Sequence, residues 1–238
     1  MPAPRWRRVL LKLSGEALAG GLGFGFDPCT ISRLASEIAD AHATGVEMAV
    51  VVGGGNGLRG QVAAESGMQR VAADHMGMLA TVQNAIAMQD ALEKQGVSTR
   101  VQTATAMLEF AEPFIRRRAI RHLEKGRIVI MAGGTGNPFF STDTAAALRA
   151  LEIAAGAVLK ATNVDGVYDR DPRSDAAAQR FEEVTYQECI ERRLRVMDVA
   201  AFALCEEHGL PIVVFDVNRP GSIKDAVLHD GVGTIVRR

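Results

Sequence analysis

Three apolar runs with strand character break off into glycine and other small residues. Val9 to Leu11 leads into Lys12-Leu13-Ser14-Gly15, Val50 to Val52 into Gly53-Gly54-Gly55-Asn56, and Ile128 to Met131 into Gly133-Gly134-Thr135-Gly136-Asn137. Glycine permits positive φ and lets backbone N–H groups approach an anion closely, so such turns at the ends of parallel strands are natural phosphate cradles. Three of them imply a long, multiply charged ligand or two ligands end to end. Lys12 and Arg59, beside the first two turns, add full positive charge.

Two familiar phosphate motifs fit poorly. The pattern G-x-x-x-x-G-K-[ST] of P-loop kinases occurs nowhere in the chain. Gly55-Asn56-Gly57-Leu58-Arg59-Gly60 does match G-x-G-x-x-G, but a dinucleotide site also needs a short helix, a second strand and an acidic residue about 20 positions on. Here the next strand candidate, Val97 to Val101, follows a long helical stretch, which argues against a Rossmann dehydrogenase.

Between and beyond the glycine turns, short aliphatic runs alternate with helical periodicity, the pattern of a mainly parallel sheet covered on both faces. Strands are predicted at Arg8 to Leu13, Glu47 to Val52, Thr99 to Gln102, Arg127 to Met131, Ala157 to Lys160, Ile212 to Phe215 and Thr234 to Val236. Helices are predicted over Thr30 to His42, Asp74 to Lys94, Glu112 to Glu124, Thr142 to Ala154, Val199 to Glu207 and Ser222 to Leu228. Ligands of open α/β sheets sit beyond the carboxyl ends of the strands, where all three turns fall. The helix from Asp74 carries Met76, Leu79, Val82, Ala85, Ile86 and Leu92, a stripe that reads either as core or as an interface. A change of character near Leu159 divides one domain, 1–238, into a phosphate-binding lobe, 1–158, and a second lobe, 159–238. The second lobe opens on a turn-rich loop in which Tyr168 can pack on a purine and Asp171 can accept hydrogen bonds from ribose or base.

Composition sets outer bounds. The 238 residues, 47% of them hydrophobic, are enough to bury an enzyme-sized core, and a net charge of −1 gives no overall field toward nucleic acid or an anionic membrane. The basic clusters Arg116-Arg117-Arg118-Arg121 and Arg192-Arg193-Arg195 read as solvated helix faces. Cys29, Cys189 and Cys205 are odd in number and never in C-x-x-C spacing, so they are expected to be reduced, small buried side chains in a cytoplasmic protein. The five histidines have no ligand spacing, so no metal site is expected, and no run suggests a leader or a membrane span.

Several blocks carry a family resemblance. Lys12-Leu13-Ser14-Gly15-Glu16, Gly53-Gly54-Gly55-Asn56 with Arg59-Gly60, and Asp74-His75-Met76-Gly77-Met78-Leu79-Ala80-Thr81 resemble the bacterial uridylate kinase family. So do Gly134-Thr135-Gly136-Asn137-Pro138-Phe139-Phe140-Ser141-Thr142-Asp143, Lys160-Ala161-Thr162, Asp165-Gly166-Val167-Tyr168 and Val196-Met197-Asp198. The blocks stand in family order from residue 8 onward. The resemblance implies the amino acid kinase fold, a three-layer αβα sandwich with a mainly parallel central sheet, and transfer of the γ-phosphoryl group of ATP to UMP.

By family position, Lys12, Leu13, Ser14, Gly15 and Gly55 contact the ATP phosphates with Arg59 nearby, while Thr162, Tyr168 and Asp171 hold the adenosine end. Gly54, Asp74 and Thr135, Gly136, Asn137, Pro138, Phe139, Phe140, Ser141 and Thr142 hold UMP. Lys12, Lys160 and Arg59 supply charge to the reaction, and Asp143 orients the lysines. For Lys160 a snorkelling strand-end lysine, for Asp143 a helix-dipole partner and for Asp198 an ordinary helix cap are the alternatives. Mg²⁺ is expected with ATP. The resemblance also implies a homohexamer built from dimers, GTP and UTP as effectors, and a GTP-responsive loop at Gly20, Gly21, Leu22, Gly23, Phe24 and Gly25. Gln89 and Glu93 stand where some GTP-activated members are basic, which leaves Arg100 and Arg127 for a partial effector site. Rival readings are another small-substrate kinase on the same scaffold or a non-catalytic nucleotide- or oxyanion-binding protein.

Overall fold

The computed structural model describes residues 2–57, 67–175, 177–194 and 196–238. Its strands are β1 (Arg8–Leu13), β2 (Glu47–Val52), β3 (Thr99–Thr103), β4 (Glu112–Pro113), β5 (Ile128–Ala132), β6 (Ala157–Thr162), β7 (Glu183–Thr185), β8 (Ile212–Asp216) and β9 (Thr234–Arg237). Among the described residues they form one sheet in the order β4-β3-β5-β2-β1-β6-β8-β9-β7. Every pairing is parallel except β8 with β9. β1 lies mid-sheet, with β2 on one side and β6 on the other, so the chain builds one flank first and then crosses to build the second. That crossing creates the topological switch point where open α/β sheets place their ligands.

Helices cover both faces. Residues alternate faces along a strand. Val9, Leu11 and Leu13 of β1 pack into a core with Leu34 and Ile38 of α2 (Pro28–His42), Val82 and Met88 of α3 (Arg70–Glu93), and Ile223 of α8 (Ser222–Leu228). Leu10 faces the other core, with Leu123 of α4 (Arg116–Glu124), Ala146 and Ala150 of α5 (Thr142–Glu152), Cys189 of α6 (Tyr186–Glu191) and Phe202 of α7 (Val199–His208). The short α1 (Gly15–Ala19) follows β1 directly. The fold is therefore the expected αβα sandwich. Among the described residues no helix is long and apolar enough to cross a membrane.

The structure corrects several local expectations. The helix predicted from Glu112 begins at Arg116, because Glu112–Pro113 pairs with β3 as an edge strand and the residue before a proline is driven toward extended backbone. α3 starts one turn before Asp74, at Arg70. Its apolar stripe divides: Val82, Ala85 and Leu92 are buried, whereas Met76, Leu79 and Ile86 are exposed. Cys189 and Cys205 are buried as expected, but Cys29 is exposed in the first turn of α2, behind the Asp27 cap and Pro28. Leu159 lies inside β6, so the sheet runs unbroken across the point where the sequence changes character.

Candidate active site at the ends of the parallel strands

Strand parity decides where the two lysines point. Lys12 shares the face of Leu10 on β1, and Lys160 that of Val158 on β6, so both face the helical layer containing α5. There Ser141 caps α5 by accepting from the N–H groups of Asp143 and Thr144, which sets Asp143 in the first turn. Its Oδ1 lies 2.8 Å from Lys12 Nζ and its Oδ2 2.6 Å from Lys160 Nζ. Lys160 also donates to the Val196 carbonyl.

Burial works to raise the Asp143 pKa, but the charges of Lys12 and Lys160 outweigh it and hold the carboxyl below its ordinary 3.8. Burial pushes the Lys160 ammonium below its ordinary 10.5 in spite of Asp143. A carboxylate held this way is a poor proton acceptor. It fixes two cationic groups, which remain available to an anion arriving at the strand ends. Asp198 is both cap and organiser: it accepts from Ala201 N–H at the start of α7 and from the hydroxyls of Ser141 and Thr144 on α5.

The glycines of the first two turns let backbones touch. A Cβ on Gly15 would stand 2.6 Å from Gly55 N and from Asn56 Oδ1, and one on Gly54 only 2.4 Å from the Gly77 carbonyl of α3. The turn after β1 thus sits directly against the turn after β2, which rests on α3. Ser14 caps α1 through Ala17 N–H, and Leu13 and Gly15 are buried, so the half-buried Ser14 carries the accessible edge of this turn.

The third turn is tied to α3 as well. Gly133 N–H donates to Thr81 Oγ1 at 2.7 Å, and Phe139 N–H to Asp74 Oδ2 at 2.8 Å. Asp74 lies beyond the capping positions and instead also pairs with Arg70, whose Nε is 2.8 Å from Oδ1. Thr135 Oγ1 accepts from Asn137 N–H and donates to its carbonyl, closing a small polar turn that includes Gly136. Pro138 leads into Phe139 and Phe140, which are exposed. Phe139 has a φ of +71°, a left-handed conformation rare for a bulky residue and held here by the Asp74 bond. A Cβ on Gly53 would meet Thr142 Oγ1 at 3.4 Å, so this segment borders the second turn.

Val196, whose carbonyl accepts from Lys160, also lines a cleft of about 360 Å³ together with Val164, Tyr168, Asp171, Arg173, Arg192 and Arg193 among others. Tyr168 O–H donates to Asp165 at 2.6 Å, Asp171 accepts from Arg173, and Thr162 at the end of β6 turns its hydroxyl to the Val164 carbonyl. The loop Gly20 to Gly25 leaves α1, exposes Leu22 and Phe24, and returns to the second turn through Gly25 N–H donating to the Asn56 carbonyl. Arg59 and Arg195 lie outside the described residues. The structure also brings forward residues to which the sequence reading gave no role. Arg70 lies over the Phe139 ring, and Thr81 and Asn84, buried on the inner face of α3 with Ala85 and Met88, bond to Gly133 and Gly53, partners that helical periodicity does not reveal.

Comparison with known proteins places this geometry. The family model for the amino acid kinase family matches residues 7–216. The crystal structure of UMP kinase from Bacillus anthracis is 38% identical with a TM-score of 0.94, over 98% of this chain and 96% of that one. UMP kinase from Ureaplasma parvum is 35% identical with a TM-score of 0.92, over 98% and 100%. Uridylate kinase from Archaeoglobus fulgidus is 29% identical with a TM-score of 0.73, over 96% and 99%.

Proposed function

The chain belongs to the amino acid kinase family, and on that premise we propose that it is a UMP kinase, a phosphotransferase that converts ATP and UMP to ADP and UDP. The observation that carries this reading is the Lys12–Asp143–Lys160 bridge at the meeting of glycine turns and strand ends, in a chain that matches UMP kinase structures over nearly its whole length.

Phosphoryl transfer passes through a loose, in-line arrangement with charge spread over the equatorial oxygens, so catalysis consists mostly of positioning and positive charge. The UMP phosphate is already anionic and needs no general base, which suits an Asp143 committed to two lysines. Lys12 and Lys160 meet the transferring group from β1 and β6. A phosphate oxygen of UMP attacks the γ-phosphorus while the bond to the β–γ bridging oxygen breaks, and ADP leaves with that oxygen.

ATP lies with its phosphates along residues 12–15 and Gly55, near Arg59, and its adenosine in the cleft of Tyr168 and Asp171, held also by Thr162, which bonds to Val164 of the cleft wall. UMP lies against Gly54, Asp74 and residues 135–142. Uracil has one polar edge, which backbone groups and the side chains of Thr135, Asn137 and Thr142 can read. The division at residue 159 is then functional, with UMP and the ATP phosphates on the 1–158 side and the adenosine of ATP on the 159–238 side. With both Asp143 oxygens turned to lysines, Mg²⁺ would be held by the ATP phosphates rather than by this carboxylate and would supply further charge neutralisation there. The exposed Met76, Leu79 and Ile86 of α3 support a dimer surface within a homohexamer. The proposal extends to a cytoplasmic enzyme of pyrimidine nucleotide biosynthesis, with GTP acting through the loop 20–25 and UTP at the UMP pocket.

The test is a coupled assay with ATP and a panel of UMP, CMP, carbamate and isopentenyl phosphate. Turnover with UMP far above the rest is the expected result. A preference for carbamate or isopentenyl phosphate would move the chain elsewhere in the family, and no turnover with any acceptor despite nucleotide binding would make it a binding protein.

A further inference from the structure

Asp74, Gly77, Thr81 and Asn84 are spaced three, four and three residues apart on α3 and so lie along one face. The first three meet Phe139 N–H, the space beside Gly54 and Gly133 N–H. Asn84 is 2% exposed and pairs with Asn56, which is 3% exposed. Asn84 Nδ2 donates to Asn56 Oδ1 at 2.6 Å and to the Gly53 carbonyl at 2.7 Å. Asn56 Nδ2 donates back to Asn84 Oδ1 at 3.0 Å and to the Gly25 carbonyl at 2.6 Å. All four amide N–H groups are thereby used within the protein, as buried amides require, and none is left for a substrate. Gly15 lies against this pair, with Asn56 Oδ1 and Gly55 N filling the space a side chain would need.

We infer that Asn84 is a positioning residue for phosphoryl transfer: through Asn56 and the Gly53 carbonyl it sets the turn at 53–57 against Gly15, and so fixes the spacing between phosphate donor and acceptor. The inference rests on the UMP kinase reading. In-line transfer between two bound anions tolerates little misplacement, whereas binding either nucleotide alone tolerates more. The loss therefore falls on turnover.

The experiment compares Asn84→Ala, the near-isosteric Asn84→Asp, Asn56→Ala and the double alanine variant with wild type. For each folded variant, turnover at saturating ATP and UMP falls at least about tenfold, while both KM values change by less than about threefold. The double variant loses no more than the worse single one, because both act through one pair. Full turnover in Asn84→Ala or Asn84→Asp, a loss confined to KM, or additive losses in the double variant would overturn the inference. Wild-type turnover in the same assay tests the kinase reading separately. Backbone amide exchange at residues 53–57 needs no turnover: it quickens in Asn84→Ala relative to wild type, and unchanged exchange there would also overturn the inference.

Discussion

Lys12 and Lys160 are register partners on adjacent parallel strands, β1 and β6, and present their ammonium groups to the two oxygens of the same carboxylate. Two like charges side by side in a buried place would repel each other, and Asp143 between them makes the arrangement stable. Replacing Lys12 leaves Asp143 paired with Lys160, so the fold survives while half of the charge is lost. Lys12→Ala is expected to keep its thermal stability and to lose turnover by at least about a hundredfold. Steady-state rates on the folded variant decide this, and near-normal turnover would remove Lys12 from the mechanism.

Removing the carboxylate charge has the opposite balance. Asp143→Asn leaves two buried ammonium groups without their counter-charge and is expected to destabilise the protein by about 3–5 kcal/mol near neutral pH. Because the folded state holds the Asp143 carboxyl below its ordinary 3.8, the unfolded chain takes up that proton first as pH falls. The stabilisation is complete above that value and is lost below it. Thermal unfolding of wild type and Asp143→Asn over a pH series should show a constant gap that narrows below pH 3.8. A gap that persisted to the acid limit would mean that the lysines do not depress this group.

Asp74 holds Phe139 N–H through Oδ2 while Oδ1 keeps acceptor capacity for a ribose hydroxyl. Asp74→Ala is expected to raise KM for UMP roughly tenfold or more with little change in KM for ATP. Asp74→Asn, which retains an acceptor for Phe139, should lose less. Equal changes in the two constants would place Asp74 in the scaffold alone.

Two neighbouring glycines should respond differently to one methyl group. Gly54→Ala drives its Cβ into the Gly77 carbonyl and is expected to cost about 1–3 kcal/mol along with activity. A Cβ on Gly55 meets Glu16 Oε1 at 3.6 Å, an ordinary contact with a side chain, so Gly55→Ala should fold normally and weaken only ATP binding. Denaturant melts and nucleotide titrations separate these outcomes, and equal stability in the two variants would contradict the packing described.

The effector response should be weak. Gln89 and Glu93 are tied to each other and to Thr99, Arg100 faces Glu112 at 3.8 Å, and Arg127 is engaged by His122. Little uncommitted positive charge faces a triphosphate there. Initial rates at subsaturating ATP should rise only slightly with GTP, and UTP should compete with UMP. Strong activation at low micromolar GTP would show that basic side chains at 89 and 93 are dispensable.

The sequence alone determined the parallel α/β class, the three turns and the residues that border them. These are local matters: apolar runs of strand length, glycine where backbones must come close, and the Ser141 cap that puts Asp143 at a helix start. It also left Lys160 open between a solvated strand end and a functional charge, and Asp198 between a cap and an organiser. Only the tertiary structure showed that Lys160 is buried and paired rather than solvated, and that Asp198 bonds to Thr144 of α5 as well as capping α7, because both depend on which elements lie side by side. β6 is far from β1 in sequence yet pairs with it in register, which brings Lys160 next to Lys12. Thr81 and Asn84 were illegible for the same reason. A polar residue on the inner face of a helix has no recognisable partner until Gly133, Gly53 and Asn56 are folded against it.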